Sequence, residues 1–262
     1  MDTNWKEEII SYPEGRLQLF KGGDGPPLLI LHGAGGNPGW LNYHEMLSKS
    51  FTVYAPSHPG YDQSDRIPWI DSIPAVAHYY HGLILHLKLK EITLFGLSMG
   101  GWISAEMAAM NQTPFKQMIL VAPVGMKPER GQIAELFTSP RETVQNLRFY
   151  DKTQVEDYEN TFNRELTLEE QKIERGNREM AASWCWQPYF YNPNLQYYLR
   201  KVSLKSLIVW GKQDYIVPVE CADLFHRVLV NSEVKIIDRC SHMPHAERPR
   251  EFLDTLTSFL NA

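Results

Sequence analysis

Short apolar runs recur along the chain, each ended by glycine, proline or polar residues, and their spacing predicts the fold before any chemistry is considered. The runs are Leu28-Leu29-Ile30-Leu31, Phe51-Thr52-Val53-Tyr54, Ile92-Thr93-Leu94-Phe95, Met118-Ile119-Leu120-Val121, Leu207-Ile208-Val209-Trp210 and Val234-Lys235-Ile236-Ile237. Continuous apolar stretches of this length suit parallel strands buried on both faces. Helical patterns over 72–88, 100–110, 219–229 and 249–260 separate most of them, so the alternation predicts an α/β protein, a mostly parallel sheet with helices on both faces. Ahead of these, residues 7–11 and 16–20 flank Tyr12-Pro13-Glu14-Gly15 and predict an antiparallel hairpin at a sheet edge.

One interval breaks the alternation. Between Val121 and Leu207 no strand pattern occurs; charged helical stretches cover Arg141–Phe149, Thr153–Asn163 and Leu168–Ala182, followed by the aromatic-rich Trp184-Cys185-Trp186-Gln187-Pro188-Tyr189-Phe190-Tyr191. A structureless loop of that length is improbable in a compact protein, so the interval predicts an inserted helical cap. The expected organisation is a core in two parts, 1–123 and 204–262, with the cap at 124–203.

Composition narrows the partners. The 262 residues are 43% hydrophobic and 22% charged, and the net charge of −5 argues against nucleic acid or an anionic membrane as the main partner. No apolar run approaches the ~20 residues of a membrane span, and the first residues lack a basic region followed by an apolar one. The three cysteines, Cys185, Cys221 and Cys240, form no Cys-x-x-Cys pair. The expectation is a cytoplasmic protein without metal or cofactor, its oligomeric state unreadable.

Candidate chemistry gathers at the carboxyl ends of the predicted strands, where open parallel sheets assemble their sites. Gly96-Leu97-Ser98-Met99-Gly100 describes a sharp strand-to-helix turn presenting a serine hydroxyl. Alone this pattern is weak, arising by chance in about one chain in ten of this length. Four further segments add to it: His32-Gly33-Ala34-Gly35-Gly36, Ser57-His58-Pro59-Gly60-Tyr61-Asp62-Gln63-Ser64, Trp210-Gly211-Lys212-Gln213-Asp214 and Ser241-His242-Met243-Pro244. The order serine, acid, histidine is the one used by strand-turn-helix serine hydrolases.

Over nearly its whole length the chain resembles the α/β-hydrolase superfamily, through these motifs and the longer forms Gly25–Gly33 and Ser241-His242-Met243-Pro244-His245-Ala246-Glu247-Arg248-Pro249. The resemblance implies a catalytic triad with Ser98 as nucleophile, His242 as general base and Asp214 orienting the imidazole. It also implies an oxyanion hole formed by the backbone N–H groups of Ala34 and Met99. A serine nucleophile implies acyl transfer, and a carboxylesterase acting on small esters is the leading expectation. The meta-cleavage-product C–C hydrolases are the main alternative. Their cap-bearing layout is similar, but they usually carry Gly-Pro-Gly where Gly35-Gly36-Asn37 stands here and a tryptophan at the place of Met243. Arg175 and Arg178 are the candidates for the cap arginine that pairs with their substrate's carboxylate. A ligand receptor that keeps the same residues is a further alternative, because a fold does not fix a function.

Each residue also has a plainer reading. Asp214 can cap the helix at 219–229, and Glu247 and His245 compete with Asp214 and His242 for their roles. Gly33 and the cap aromatics Trp184, Trp186 and Tyr189 are candidate substrate contacts, with cap–core packing as the alternative for the aromatics. Gly33-Ala34-Gly35 begins like a dinucleotide-binding loop, but Pro38 stands where the third glycine belongs and no acid ends the next strand. His78, His81 and His86 lie along one predicted helix without an acidic partner, so helix histidines are expected there rather than metal ligands.

Overall fold

The computed structural model describes residues 4–261. One sheet contains the strands β1 (Trp5–Tyr12), β2 (Gly15–Gly22), β3 (Pro27–Leu31), β4 (Thr52–Pro56), β5 (Ile92–Leu97), β6 (Phe115–Val121), β7 (Lys205–Gly211) and β8 (Ser232–Ile237), in the order β1-β2-β4-β3-β5-β6-β7-β8. From β4 through β8 every neighbouring pair is parallel, while β2 runs antiparallel to both β1 and β4. The hairpin closes over Pro13-Glu14, with Tyr12 opposite Gly15.

Side chains alternate between the two faces, as the two-residue strand period requires. Leu29, Leu31, Leu94, Met118, Leu120, Ile208 and Trp210 pack beneath α2 (Ile73–His86), α3 (Met99–Met110) and α8 (Glu220–Val228). Leu28, Ile30, Phe95, Ile119, Val121, Leu207 and Val209 pack on the other face against α1 (Asn42–Leu47) and α10 (Pro249–Asn261), which follows the single turn α9 (Pro244–Glu247). Burial on both faces explains why these strands read as unbroken apolar runs. The last strand departs from that expectation: β8 is an edge strand, its Val234 half-buried and its Ile236 38% exposed.

From β6 the chain runs to β7 through α4 (Arg141–Leu147), α5 (Tyr158–Thr161), α6 (Leu168–Cys185) and α7 (Leu195–Leu199), with no strand among the described residues of this stretch. The helix expected over 153–163 is divided into a 3₁₀ turn, Lys152–Gln154, and the single turn α5. Asp157 between them has φ +49°, a left-handed conformation that interrupts a right-handed helix. Val155 and Tyr158 instead bury themselves against Phe149 in a small separate cluster. α6 starts at a reciprocal cap, Thr167 Oγ1 accepting from the Glu170 N–H while the Glu170 carboxylate accepts from the Thr167 N–H. α7 packs on α3, its Leu195 and Leu199 buried in the main core.

The strand order places a topological switch between β3 and β5. The connection after β3 leads to β4 on one side, while the connection after β5 leads to β6 on the other. Their loops therefore part at the carboxyl edge and leave a crevice there.

Candidate active site

Ser98 occupies that crevice. It follows β5 directly, caps the N-terminus of α3 and has φ +55°, ψ −116°. Non-glycine residues rarely adopt a positive φ, and such strain concentrates at functional positions. Hydrogen bonds on both sides maintain it: the Ser98 N–H donates to Val121 O at 2.8 Å, and Ser98 O accepts from the N–H groups of Trp102 and Val124 at 3.2 Å. The flanking glycines are required by close approach. A Cβ on Gly96 would overlap the Gly100 carbonyl, and one on Gly100 would overlap the carbonyls of Leu31 and His32. Gly100→Ala is therefore expected to separate α3 from the end of β3. A fall in melting temperature of at least several degrees, or insoluble protein, is the result to look for by thermal denaturation.

Gly33 stands beside the serine. A Cβ built on it would lie 3.3 Å from Ser98 Cβ and 3.8 Å from Ser98 Oγ. Met99 is the first residue of α3, so its N–H has no partner within the helix. Among the described residues the Ala34 N–H likewise meets no acceptor.

Asp214 and His242 come together from adjacent strands. The His242 Nδ1–H donates to Asp214 Oδ2 at 2.8 Å, with both side chains almost wholly buried. Asp214 Oδ1 accepts from the N–H groups of Ile216 at 2.8 Å and Val217 at 2.9 Å, which fixes the carboxylate plane. The two competing residues lie elsewhere. His245 packs against Tyr43 and Phe252, and burial pushes its pKa down to about 4, so it rests neutral at pH 7. Glu247 Oε1 accepts from the Ser241 N–H at 2.7 Å and Oε2 from the Tyr150 N–H at 2.6 Å, and burial raises its pKa.

Glu247 thus ties the histidine loop to the segment after α4. Two further bonds do the same: His242 N–H to Arg148 O at 3.1 Å and Ser241 Oγ–H to Leu147 O at 2.8 Å. Here the segment between β6 and β7 is fastened to the histidine loop by its backbone.

A cavity of about 270 Å³ opens beside Ala34 and Gly35, walled by Val144 of α4, by Arg148 just after it, and by Ile173 and Arg178 of α6. Arg141 pairs with Glu174 at 3.0 Å, whereas Arg148 and Arg178 have no carboxylate partner among the described residues. Burial pushes the Arg148 guanidinium down from its usual range, with Glu174 opposing that shift. Arg175 is exposed and stands outside the cavity wall.

The aromatic candidates stand elsewhere. Trp184 is buried, lies tilted against Tyr61 and donates from Nε1 to Ile70 O at 3.2 Å, so it packs the inserted segment onto the core. Trp186 is 52% exposed. Tyr189 holds the 134–136 segment, its hydroxyl donating to Ala134 O and accepting from the Leu136 N–H. None of the three is among the residues lining the cavity. Of the helix histidines, His78 and His86 are exposed, and His81 Nε2 bonds to Met107 O at 3.0 Å.

The profile of the alpha/beta hydrolase fold family matches residues 26–249. The chain belongs to this family. Among similar hydrolases is a monoacylglycerol lipase of Bos taurus, 27% identical over 277 residues that span 92% of this chain and 77% of that protein. A 2-hydroxy-6-oxo-6-(2'-aminophenyl)hexa-2,4-dienoic acid hydrolase of Metapseudomonas resinovorans is 23% identical and spans 99% of this chain and 92% of that one. Of the solved hydrolase structures, a serine hydrolase involved in carbazole degradation superposes with a TM-score of 0.83 at 22% identity, covering 98% of this chain and 99% of that one. No helix of this hydrolase is long and apolar enough, among the described residues, to cross a membrane.

Several site-building residues carried no sequence signal. Asn177 of α6 accepts from the Asp62 N–H at 2.9 Å and donates to Asp62 Oδ1 at 2.8 Å and to Gly35 O at 3.3 Å, linking α6 to two loops of the hydrolase core. Arg148 supplies a main-chain carbonyl to His242, and any residue type has a carbonyl.

Proposed function

We propose that the chain is a serine hydrolase of small carboxylic esters. The observation that carries this reading is the 2.8 Å His242–Asp214 hydrogen bond on the same strand edge as the strained Ser98. With Nδ1 protonated and directed at Asp214, neutral His242 has its Nε2 lone pair free to accept the Ser98 proton as Oγ attacks the ester carbonyl. Asp214 then stabilises the imidazolium, and the Ala34 and Met99 N–H groups receive the negative charge on the carbonyl oxygen. His242 returns the proton to the departing alcohol, leaving an acyl group on Ser98. Water activated by the same histidine releases the acid.

In this account residues 124–203 form a cap over the site and Gly33 lines the approach to Ser98. Tyr189 acts through Leu136, which lines the cavity, and Trp184 fixes the cap on the core. Of the proposed catalytic and oxyanion residues only Ala34 lines the cavity of about 270 Å³, so an acyl chain would enter it past the oxyanion loop, and that volume favours short chains. p-Nitrophenyl acetate and butyrate are expected to turn over with kcat/KM at least tenfold above the palmitate ester; the reverse order would sink the small-ester assignment.

A second reading is supported by Arg148 and Arg178, two cavity-lining guanidinium groups without a carboxylate bound to them, which could receive a substrate's carboxylate although Asp62, Glu170 and Glu174 line the same cavity. That reading is C–C bond hydrolysis of a dienoic acid, the activity named for one relative. Running a dienoate beside p-nitrophenyl butyrate separates the two, and a higher kcat/KM on the dienoate would replace the ester assignment.

A further inference from the structure

His32 and His58 are buried side by side, ring centroids 3.7 Å apart, and neither takes part in the chemistry proposed above. Their hydrogen bonds fix both tautomers. His32 Nδ1 contacts Gly33 O at 2.7 Å, and a carbonyl can only accept, so Nδ1 carries the proton. His32 Nε2 receives the His58 backbone N–H at 2.9 Å and is therefore an acceptor. His58 Nε2 donates to His32 O at 2.9 Å, leaving Nδ1 to accept from the Tyr80 hydroxyl at 2.6 Å. Burial pushes both rings toward the neutral form this pattern needs.

The carbonyl that His32 engages belongs to the same peptide group as the Ala34 N–H. That peptide is trans, so its C=O and N–H point in opposite directions. Fixing the carbonyl toward the His32 ring directs the N–H away from it. Gly33 itself lies against Ser98, and the Ala34 N–H meets no acceptor among the described residues. The Gly36 N–H also reaches Gly33 O, but at 3.3 Å it is the longer contact.

We propose that His32 is a positioning residue that sets the Gly33–Ala34 peptide so that the Ala34 N–H faces the oxyanion, with the His58 backbone N–H holding His32 in the required tautomer and the His58 ring, itself oriented by Tyr80, anchoring the His32 carbonyl. This rests on the ester-hydrolase reading only for the identity of the oxyanion. A flipped peptide would present a carbonyl oxygen to developing negative charge, which converts a stabilising group into a repelling one.

Three variants test the assignment. His32→Ala removes the donor. His32→Asn keeps an N–H donor near the position of Nδ1, and His32→Gln places one near Nε2 instead. With p-nitrophenyl butyrate, His32→Ala is expected to lower kcat about 100-fold with KM changed only a few-fold. It should weaken inhibition by 1,1,1-trifluoropentan-2-one, which forms an oxyanion on Ser98, by a similar factor. His32→Asn should recover at least tenfold of both losses, and His32→Gln should not. Equal losses in all three variants, or a loss carried by KM, would overturn the proposal. Crystal structures of wild type and His32→Ala read the peptide directly, whatever substrate the enzyme takes. An Ala34 N–H that keeps its direction without His32 refutes the positioning role. If hydrolysis survives Ser98→Ala, the ester reading fails by itself, and the peptide orientation still decides the role of His32.

Discussion

Ser98→Ala is expected to abolish ester hydrolysis, with a loss in kcat on the order of 10⁴- to 10⁶-fold on p-nitrophenyl butyrate. In the proposed mechanism His242 serves as base through Nε2 with Nδ1 held by Asp214, and burial pushes the Cys185 and Cys240 thiols well above the ordinary thiol range, which leaves Ser98 to carry the acyl intermediate. The fold should survive the change. Ser98 is held through its main chain, by Val121, Trp102 and Val124, and alanine keeps every one of those bonds. A melting temperature within a few degrees of wild type, beside lost activity, separates a chemical role from a structural one. Activity within tenfold of wild type would remove Ser98 from the mechanism.

Asp214→Asn should cost nearly as much, about 10⁴-fold in kcat. The wild-type carboxylate uses one oxygen for the N–H groups of Ile216 and Val217 and the other for His242. Asparagine has one acceptor oxygen and one NH₂. If its oxygen stays on the two amides, its NH₂ faces His242 Nδ1 and forces the ring into the other tautomer, with the proton on Nε2 toward Ser98. If the amide flips, two backbone N–H groups lose their acceptor in a buried site. The first arrangement leaves the fold intact and the base unable to accept a proton. Rates of p-nitrophenyl butyrate hydrolysis with a parallel melting curve test this, and activity near wild type would show that Asp214 only caps the following turn.

Much of this architecture was legible in the chain because it depends on period and chain order. Runs such as Leu28–Leu31 and Leu207–Trp210 are apolar at every position because both sheet faces are covered, and that burial is what the pattern records. His242 and Asp214, 28 residues apart, meet because β7 and β8 are adjacent and parallel, so the loops after them share one edge. Other features left no trace in the pattern. The docking of α4 onto the histidine loop runs through the carbonyls of Leu147 and Arg148, which carry no residue signature. The break at Asp157 depends on Val155 and Tyr158 finding Phe149, a tertiary contact that overrides the helical composition of 153–163. Trp184, Trp186 and Tyr189 are equally apt to line a pocket or to pack, and only their neighbours distinguish the two. Of the cavity's arginines without a carboxylate partner, Arg178 was a candidate from the sequence and Arg148 was not, since Arg141, Arg148 and Arg178 look alike until Glu174 is seen to pair with the first.

We propose that Ser98 is a nucleophile activated by His242 and Asp214. A fluorophosphonate probe tests it most directly, because it reports an activated serine without requiring the natural substrate. Peptide mass spectrometry after labelling should place a single adduct on Ser98, absent in Ser98→Ala and formed far more slowly in Asp214→Asn. An adduct on another residue, or equal labelling rates in wild type and Asp214→Asn, would contradict the account.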